Sequence, residues 1–574
     1  MEVFVDGTPH VMAPDLAMPA SRPGWWALEV AEASAGSSYL FSLDGGPLRP
    51  DPRSPSQPEG PDGPSRLIDH GSFSWSDEDW RGVHLPSAVL YELHVGTFTP
   101  EGTFEAAAER LAHLAGLGID AVELLPVAEA GGERGWGYDG VDWFAPHHAY
   151  GGPDGLKRFI DAAHGAGVGV VIDVVYNHLR PASNYLAEVG PYFTDAYRTN
   201  WGDALNLDGP YSDEVRRFIV DNATAWLEHY HADGLRLDAV HALFDRSAVH
   251  LLEQLSSEVR VLSARLGRPM FLIAESDLNA PRFVRPVDEG GYGLDASWAD
   301  EFHHALHAVL TGETDGYYSD FGSLSLLKRA LERAWVYAGD WSPHRLRTHG
   351  RLPTGLSGDR FVVFLQNHDQ IGNRATGDRI SEAAGRRRTM IGAAFVVLSP
   401  FIPLLFQGEE WMASSPFQYF TDHEDPELGR AVTEGRQSEF SAFGWALEEV
   451  PDPQDKATFE RSKLCWDELS LPEHASVLSW YRALIAFRKK CPGLGGGAPF
   501  LTRCVVDESA STLAVHRPEL CLAGNLAVEE REIPLEVDVV LALASDDGAR
   551  LEAGRIVLPA ESVAVLLPRE PQLS

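Results

Sequence analysis

The chain has 574 residues, too many for a single hydrophobic core, and its 44% hydrophobic content indicates folded domains rather than disorder. Its formal net charge of −37 repels phosphate backbones and anionic lipids. The composition therefore argues against nucleic-acid and membrane-surface partners, and it is compatible with a neutral substrate such as a sugar.

The sequence predicts neither a targeting segment nor a membrane span. Residues 1–20 lack Lys, Arg and an uninterrupted apolar core, so they do not predict a signal peptide. No apolar run approaches the ~18–20 residues of a transmembrane helix. We expect a cytoplasmic protein whose cysteines are reduced, because no CxxC pair occurs among Cys465, Cys491, Cys504 and Cys521.

Residues 1–75 alternate short apolar runs with turns that contain glycine and proline. The runs at 3–5, 25–30 and 38–43 predict strands, and together they predict a small N-terminal β-sandwich. A proline-rich stretch then leads to a region with a different pattern.

From about residue 86, apolar strands alternate with segments of helical periodicity. Eight strands are predicted, at residues 89–94, 121–125, 168–175, 234–238, 271–275, 293–298, 361–365 and 403–406. Because the count reaches eight, the pattern favours an α/β fold with a closed (β/α)8 TIM barrel. We place the barrel at 76–490, with a small excursion after the third strand. A C-terminal antiparallel β domain is predicted at 491–574.

Three carboxylates each lie at the C-terminal end of a predicted barrel strand: Asp238, Glu275 and Asp369. Active sites of parallel barrels form at this end of the strands, so we expect the three acids to meet at one site. Two facing carboxylates are the groups that cleavage of a glycosidic bond needs. A barrel that kept these acids without activity is the alternative.

Four segments resemble the shared regions of the α-amylase superfamily, glycoside hydrolase family thirteen, in the same order: 173–178, 234–241, 273–275 and 366–369. The resemblance implies that Asp238 is the nucleophile and Glu275 the general acid/base. It also implies that Asp369 stabilises the transition state. The reaction would be a retaining double displacement.

The same resemblance implies the residues that bind the sugar at the cleaved bond. His178 and His368 match ligands of sugar hydroxyls, and Tyr138 matches the aromatic residue that stacks under the ring. Arg236 lies on the strand face of Asp238, where a guanidinium can keep that acid ionised and oriented. His241 completes the predicted set.

The intervening segments narrow the resemblance to the maltooligosyltrehalose trehalohydrolase family, notably 135–142, 201–209, 298–304, 367–374 and 419–425. Membership implies hydrolysis of the α-1,4-glucosidic bond next to the terminal trehalose, which releases trehalose and a maltooligosaccharide in trehalose biosynthesis. It also implies a maltooligosyltrehalose synthase as functional partner. The N-terminal β region is shorter than that family has, which leaves open a truncated or a naturally shorter domain.

Polar residues beyond strands six and seven are our candidates for binding the trehalose leaving group. They are Asp300, His303, His304, Gln370 and Asn373. A hydrogen bond that merely stabilises a loop is the alternative for each. Two rival enzymes on the same barrel are a glucan branching enzyme and an α-amylase, and a rival from another class is a non-catalytic glucan-binding protein.

No cofactor or metal is predicted. His303 and His307 are four residues apart, as helical metal ligands can be, but no HExxH motif accompanies them. Asn177 matches a position that some amylases use for calcium, without an accompanying ligand set. For Asp173 and Asn177, support of a strand-end loop and direct sugar contact both remain open.

Overall fold

A computed structural model describes residues 1–16, 24–199, 201–441, 450–495, 497 and 499–569. Its centre is a closed barrel of eight parallel strands, which confirms the predicted fold class. The strands β1 to β8 are Leu90–Leu93, Ala121–Leu124, Gly169–Val174, Gly234–Leu237, Phe271–Ala274, Ala296–Trp298, Phe361–Phe364 and Ile402–Phe406. Each strand pairs with its neighbours in sequence, and β8 closes the barrel against β1.

The barrel strands are mostly apolar because helices cover them on the outside, but β1 to β4 each contain one charged residue: Glu92, Glu123, Asp173 and Arg236. Every residue of β1, β2, β4, β5, β7 and β8 is buried. The α-helices within the described residues are Val95–Phe98, Phe104–Ala108, Leu111–Leu117, Gly152–Gly165, Leu186–Val189, Ser212–His229, Leu251–Leu266, Asp300–Thr311, Leu324–Arg333, His368–Gly372, Ile380–Val397, Pro426–Ser441, Lys456–Arg461 and Pro472–Lys490. Among the described residues, none of these helices has the length and apolarity that a membrane span requires.

Small antiparallel sheets precede the barrel. One has five strands: Glu2–Val5, Thr8–Val11, Ser38–Ser42, Leu48–Arg49 and Ser65–Arg66. The other pairs Ala13–Pro14 with Trp26–Ala27, so the predicted strand at 25–30 is much shorter than expected. The β character of the N-terminal region is confirmed, while the boundary at residue 75 stays a prediction.

Two packed antiparallel sheets follow the barrel, as the sequence predicts. The first contains Arg503–Asp507, Thr512–His516, Cys521–Asn525, Val539–Ala544 and Ser562–Pro568, and the second contains Arg531–Pro534, Arg550–Glu552 and Arg555–Leu558. The first sheet also packs on the barrel helices. Leu513, Leu522 and Val563 belong to the same buried apolar cluster as the barrel helix residue Phe395.

Three hairpins extend from the loops that follow barrel strands. Ala128–Glu129 pairs with Asp142–Pro146 after β2, and Phe193–Thr199 pairs with Gly202–Leu205 after β3. After β6, Asp340–Ser342 pairs with Arg347–His349. The first two hairpins bring side chains from outside the barrel to the C-terminal ends of its strands.

Candidate active site

The three strand-end acids line one open cavity of about 810 Å³ at the C-terminal ends of the barrel strands. Asp238 and Glu275 continue the strand ladder, because their N–H groups donate to Val174 and Leu237 of neighbouring strands, each at 3.0 Å. Asp369 is in the short helix that follows β7. The structure therefore brings together the acids that the sequence singled out.

Arg236 lies beneath the cavity, with its side chain 1% exposed, and it links the acids. Its Nη1 lies 2.8 Å from both Asp173 Oδ2 and Asp238 Oδ1. Its Nη2 is 3.9 Å from Glu275 Oε2, and the guanidinium stacks over Trp298 at 4.3 Å. The buried guanidinium thus fixes the position of Asp238 through one of its two carboxylate oxygens.

Asn177 holds the second oxygen of Asp238. Its Nδ2 donates to Asp238 Oδ2 at 2.5 Å and to the Asp238 carbonyl at 3.1 Å. Its Oδ1 forms a short hydrogen bond with His178 Nδ1, and His178 Nε2 bonds the carbonyl of Tyr138 at 2.9 Å. The contacts of Asn177 therefore support the strand-end loop and the acid. Support of this loop was one of the two interpretations left open for Asn177, and direct sugar contact stays a prediction.

Glu275 has the environment of a proton donor. Burial, reinforced by the nearby Asp238 and opposed by Arg236, raises its pKa to about 8. The backbone N–H of Ala239 donates to Glu275 Oε2 at 2.5 Å. That N–H is presented by a left-handed turn at Ala239 with φ 40°, a conformation that costs a non-glycine residue roughly 1–2 kcal/mol.

Asp369 is positioned by a capping box at the start of its helix. Asn367 Oδ1 accepts the N–H of Asp369 at 2.9 Å, and the Gln370 side chain accepts the N–H of Asn367 at 2.9 Å. The Asp369 side chain remains 42% exposed. The predicted ligand Gln370 therefore contributes to helix capping, and it does not line the cavity.

Five of the predicted sugar ligands line the cavity: Tyr138, His178, His241, His368 and Asn373. Tyr138 comes from the hairpin after β2, and its hydroxyl donates to Asp173 Oδ2 at 2.6 Å. The remaining predicted ligands, apart from Arg236 and Gln370 described above, occupy the first turns of the helix Asp300–Thr311.

Within that helix, His303 is committed to the fold. Its Nδ1 bonds the Leu365 carbonyl at 2.7 Å and its Nε2 bonds the Tyr318 hydroxyl at 2.8 Å. His304 packs against the rings of Tyr317 and Phe321. Sugar contact by His303 and His304 stays a prediction, and these contacts give it no support.

Asp300 is close to the acids, although it does not line the cavity. Burial, together with the charges of Asp369 and Asp277, raises the pKa of Asp300 to about 7. Its charge in turn contributes to the raised pKa of Glu275. Asp300 therefore remains a candidate for contact with the leaving group.

Sequence reasoning missed several cavity residues that loops supply. Trp201, at the tip of the hairpin after β3, stacks on His178 with ring centroids 3.7 Å apart. Arg436 donates to Asn373 Oδ1 at 2.9 Å. The others come from the segments after β2, β3, β4 and β8 and include Trp136, Phe244, Tyr419, Phe420 and Thr421. The signal that the sequence did offer was an aromatic residue, Trp201, at the turn between two short strands.

Among the described residues, one group could hold a metal ion: Glu129, His147 and His148. The carboxylate of Glu129 already accepts the backbone N–H of His148 at 2.8 Å and lies 2.9 Å from its Nδ1. The Glu129 hydrogen bonds raise the pKa of His148. These bonds explain why the three residues lie together: Glu129 and His148 connect the two ends of the loop that carries Tyr138.

Comparisons with known proteins agree with this geometry. The family model of the alpha amylase catalytic domain matches residues 70–202. A malto-oligosyltrehalose trehalohydrolase from Rhizobium sp. (strain M-11) is 49% identical over 95% of this chain and 91% of its own, and one from Arthrobacter ramosus is 53% identical over 83% and 84%. A crystal structure of a provisionally assigned alpha amylase from Salmonella typhimurium superposes with a TM-score of 0.90 at 39% identity, covering 99% and 95%.

Proposed function

The chain belongs to the malto-oligosyltrehalose trehalohydrolase family, and we propose that it hydrolyses the α-1,4-glucosidic bond between a maltooligosaccharide and a terminal trehalose. The observation that carries the proposal is the group of Asp238, Glu275 and Asp369 around one cavity, over the shared Arg236. The products are free trehalose and a maltooligosaccharide.

In the first step, Asp238 Oδ attacks the anomeric carbon of the sugar on the maltooligosyl side, and the bond to the trehalose oxygen breaks. Glu275 gives its proton to that oxygen, so trehalose leaves as a neutral alcohol. The raised pKa of Glu275, about 8, keeps this carboxyl protonated near neutral pH. Arg236 and Asn177 hold the attacking carboxylate in place.

In the second step, water adds to the anomeric carbon of the glycosyl ester on Asp238. Glu275, now ionised, takes a proton from this water, and the Asp238 carboxylate is released. Each displacement inverts the carbon, so the product keeps the α configuration. Asp369, which extends into the cavity, stabilises the positive charge that develops at the ring in both steps.

The contacts around the cavity support a division of the binding surface. Tyr138, His178, His368 and Trp201 line the cavity and offer aromatic rings to the sugar at the cleaved bond. We propose that Asp300 and Asn373 take part in binding trehalose, because Asp300 lies beside Asp369 and Asn373 lines the cavity. A polar site that binds hydroxyls discriminates strongly against a ligand lacking them.

A branching enzyme and an α-amylase would use the same acids, so the products must discriminate among the three. The test compares maltotriosyltrehalose with maltopentaose, which have the same number of glucose units. We expect trehalose and maltotriose from the first and cleavage of the second to be at least about tenfold slower. Equal cleavage would establish an α-amylase, and new α-1,6 linkages would establish a branching enzyme.

The substrate implies a preceding reaction. An enzyme that converts the reducing-end α-1,4 linkage of a maltooligosaccharide into an α,α-1,1 linkage must supply it, so we propose a maltooligosyltrehalose synthase as functional partner in trehalose biosynthesis. We also propose a cytoplasmic location. The four free cysteines support a reducing compartment.

A further inference from the structure

Glu92 is a buried carboxylate to which neither the sequence patterns nor the proposed reaction gives a role. It lies in β1 and is 1% exposed. Its Oε1 is 2.5 Å from His368 Nδ1, and its Oε2 accepts the backbone N–H of His368 at 3.0 Å. One carboxylate therefore binds both the ring and the main chain of the residue that precedes Asp369.

The second ring nitrogen of His368 also faces acceptors. Its Nε2 lies 2.8 Å from the Tyr138 hydroxyl oxygen and 3.5 Å from Asp369 Oδ1. The Tyr138 hydroxyl has a single proton and donates it to Asp173 Oδ2, so its oxygen can only accept from Nε2. Acceptors facing both nitrogens favour a proton on each nitrogen.

We propose that Glu92 is a positioning residue that holds His368 as an imidazolium, with its Nε2–H at the cavity beside Tyr138 and Asp369. The role of this donor toward a sugar hydroxyl rests on the proposed function. A charged donor forms a stronger hydrogen bond than a neutral imidazole does. The double contact from Glu92 also fixes the ring orientation, as carboxylates do for histidines that bind metals.

The charges around the ring agree with this assignment. Burial lowers the pKa of His368, but Asp369 and Glu92 outweigh it and raise the value to about 9, against the opposing charge of Arg236. Asp173 is a further acid near the ring. His94 is a further base, but burial lowers its pKa to about 3, which leaves it neutral.

Glu123 provides a matched control. It lies directly opposite Glu92 on the adjacent strand β2 and is equally buried, at 1% exposure. Burial and the charge of Glu92 raise its pKa well above the usual range, which favours its neutral form. Replacing Glu123 with Gln therefore changes a neighbouring buried acid without touching the two bonds to His368 that Glu92 makes.

The test is an NMR titration of the intact, unliganded protein labelled with ¹⁵N-histidine, in which the His368 signal is identified by its loss in His368→Asn. We expect the wild-type ring to be doubly protonated at pH 7 and to titrate near pH 9. In Glu92→Gln the pKa should fall by two or more units, whereas Glu123→Gln should leave it within about half a unit. Glu92→Asp, which keeps the charge, should retain a raised pKa.

The pH profile of kcat/KM connects the proposal to activity. In Glu92→Gln the alkaline limb should move to lower pH, with activity at pH 8 at least about tenfold below wild type, because a histidine with an ordinary pKa is a few per cent protonated there. A singly protonated wild-type ring at pH 7, or equal shifts in Glu92→Gln and Glu123→Gln, would overturn the role of Glu92. The titration needs no substrate, so its result does not depend on whether the proposed function is correct.

Discussion

At the scale of single residues, the site depends on one buried cation that serves several acids. Arg236 contacts Asp173 and Asp238 through Nη1 and approaches Glu275 through Nη2. Its charge opposes the burial that raises the pKa values of Asp173 and Glu275. The planar guanidinium places Nη2 toward Glu275 while Nη1 contacts both aspartates, and an ammonium group has only one nitrogen.

The first prediction concerns Arg236→Lys. Lysine keeps the charge but lacks the second nitrogen that approaches Glu275 and the planar group that stacks over Trp298, so kcat/KM should fall about a hundredfold, or roughly 3 kcal/mol of transition-state stabilisation. Arg217→Lys is the control, because Arg217 forms ion pairs with Asp221 and Glu258 at the surface. Steady-state kinetics would reject the account if the two variants lost activity equally.

The second prediction concerns the pH dependence set by Glu275. The donor must be protonated, and its raised pKa extends that form to about pH 8, so kcat/KM should decline above this pH. Glu275→Gln should lose several orders of magnitude in turnover and no longer show this alkaline decline. A wild-type profile that already declines above pH 5 would mean that Glu275 is ionised in the free enzyme.

At the scale of elements, hairpins extend the site beyond the barrel strands. The hairpin of Phe193–Thr199 and Gly202–Leu205 carries Trp201, which is 45% exposed and stacks on His178. Trp201 lines the cavity, and its exposed indole provides an apolar face for a sugar ring. Trp201 is connected to Asp238 through His178 and Asn177.

The third prediction is that Trp201→Ala weakens binding more than chemistry. KM should rise up to about tenfold with kcat little changed, because a stacked ring contributes roughly 0.5–1.5 kcal/mol and contacts no reacting atom. The matched control is Trp341→Ala, since Trp341 is 58% exposed and does not line the cavity. A loss confined to kcat would place Trp201 in the chemical step instead.

The helix Asp300–Thr311 illustrates what the sequence could not predict about its own elements. His303 and His304 follow a barrel strand, and polar residues there suggest contact with substrate. In the structure, His303 lies on the buried face of the helix, where its ring bonds the Leu365 carbonyl and the Tyr318 hydroxyl. The tertiary partner Tyr318, fifteen residues away, decided this outcome.

At the scale of the whole molecule, the sequence predicted the barrel and the acids because both depend on local patterns. The buried strands are short and mostly apolar, and Asp238 and Glu275 directly follow two of them. The cavity wall depends on contacts between distant segments, such as Arg436 with Asn373, and no local pattern encodes that contact. The contact of Glu92 was not predicted for the same reason, since its partner His368 is 276 residues away.

The fourth prediction is that the barrel and the C-terminal sheets unfold together. Leu522 is 1% exposed and belongs to the apolar cluster that includes the barrel helix residue Phe395. Leu522→Ala should cost about 2–5 kcal/mol and lower a single thermal transition, whereas Val540→Ala, at a residue 39% exposed, should have little effect. A new early transition in Leu522→Ala, with the main one unmoved, would show that the C-terminal sheets unfold independently.

The central claim is that Asp238 and Glu275 release trehalose by retaining cleavage. The most direct measurement follows the hydrolysis of maltotriosyltrehalose by ¹H NMR and observes the anomeric signals before mutarotation. The account predicts trehalose and α-maltotriose in equal amounts from the first time points. Initial formation of β-maltotriose, or release of glucose or maltose in place of trehalose, would contradict it.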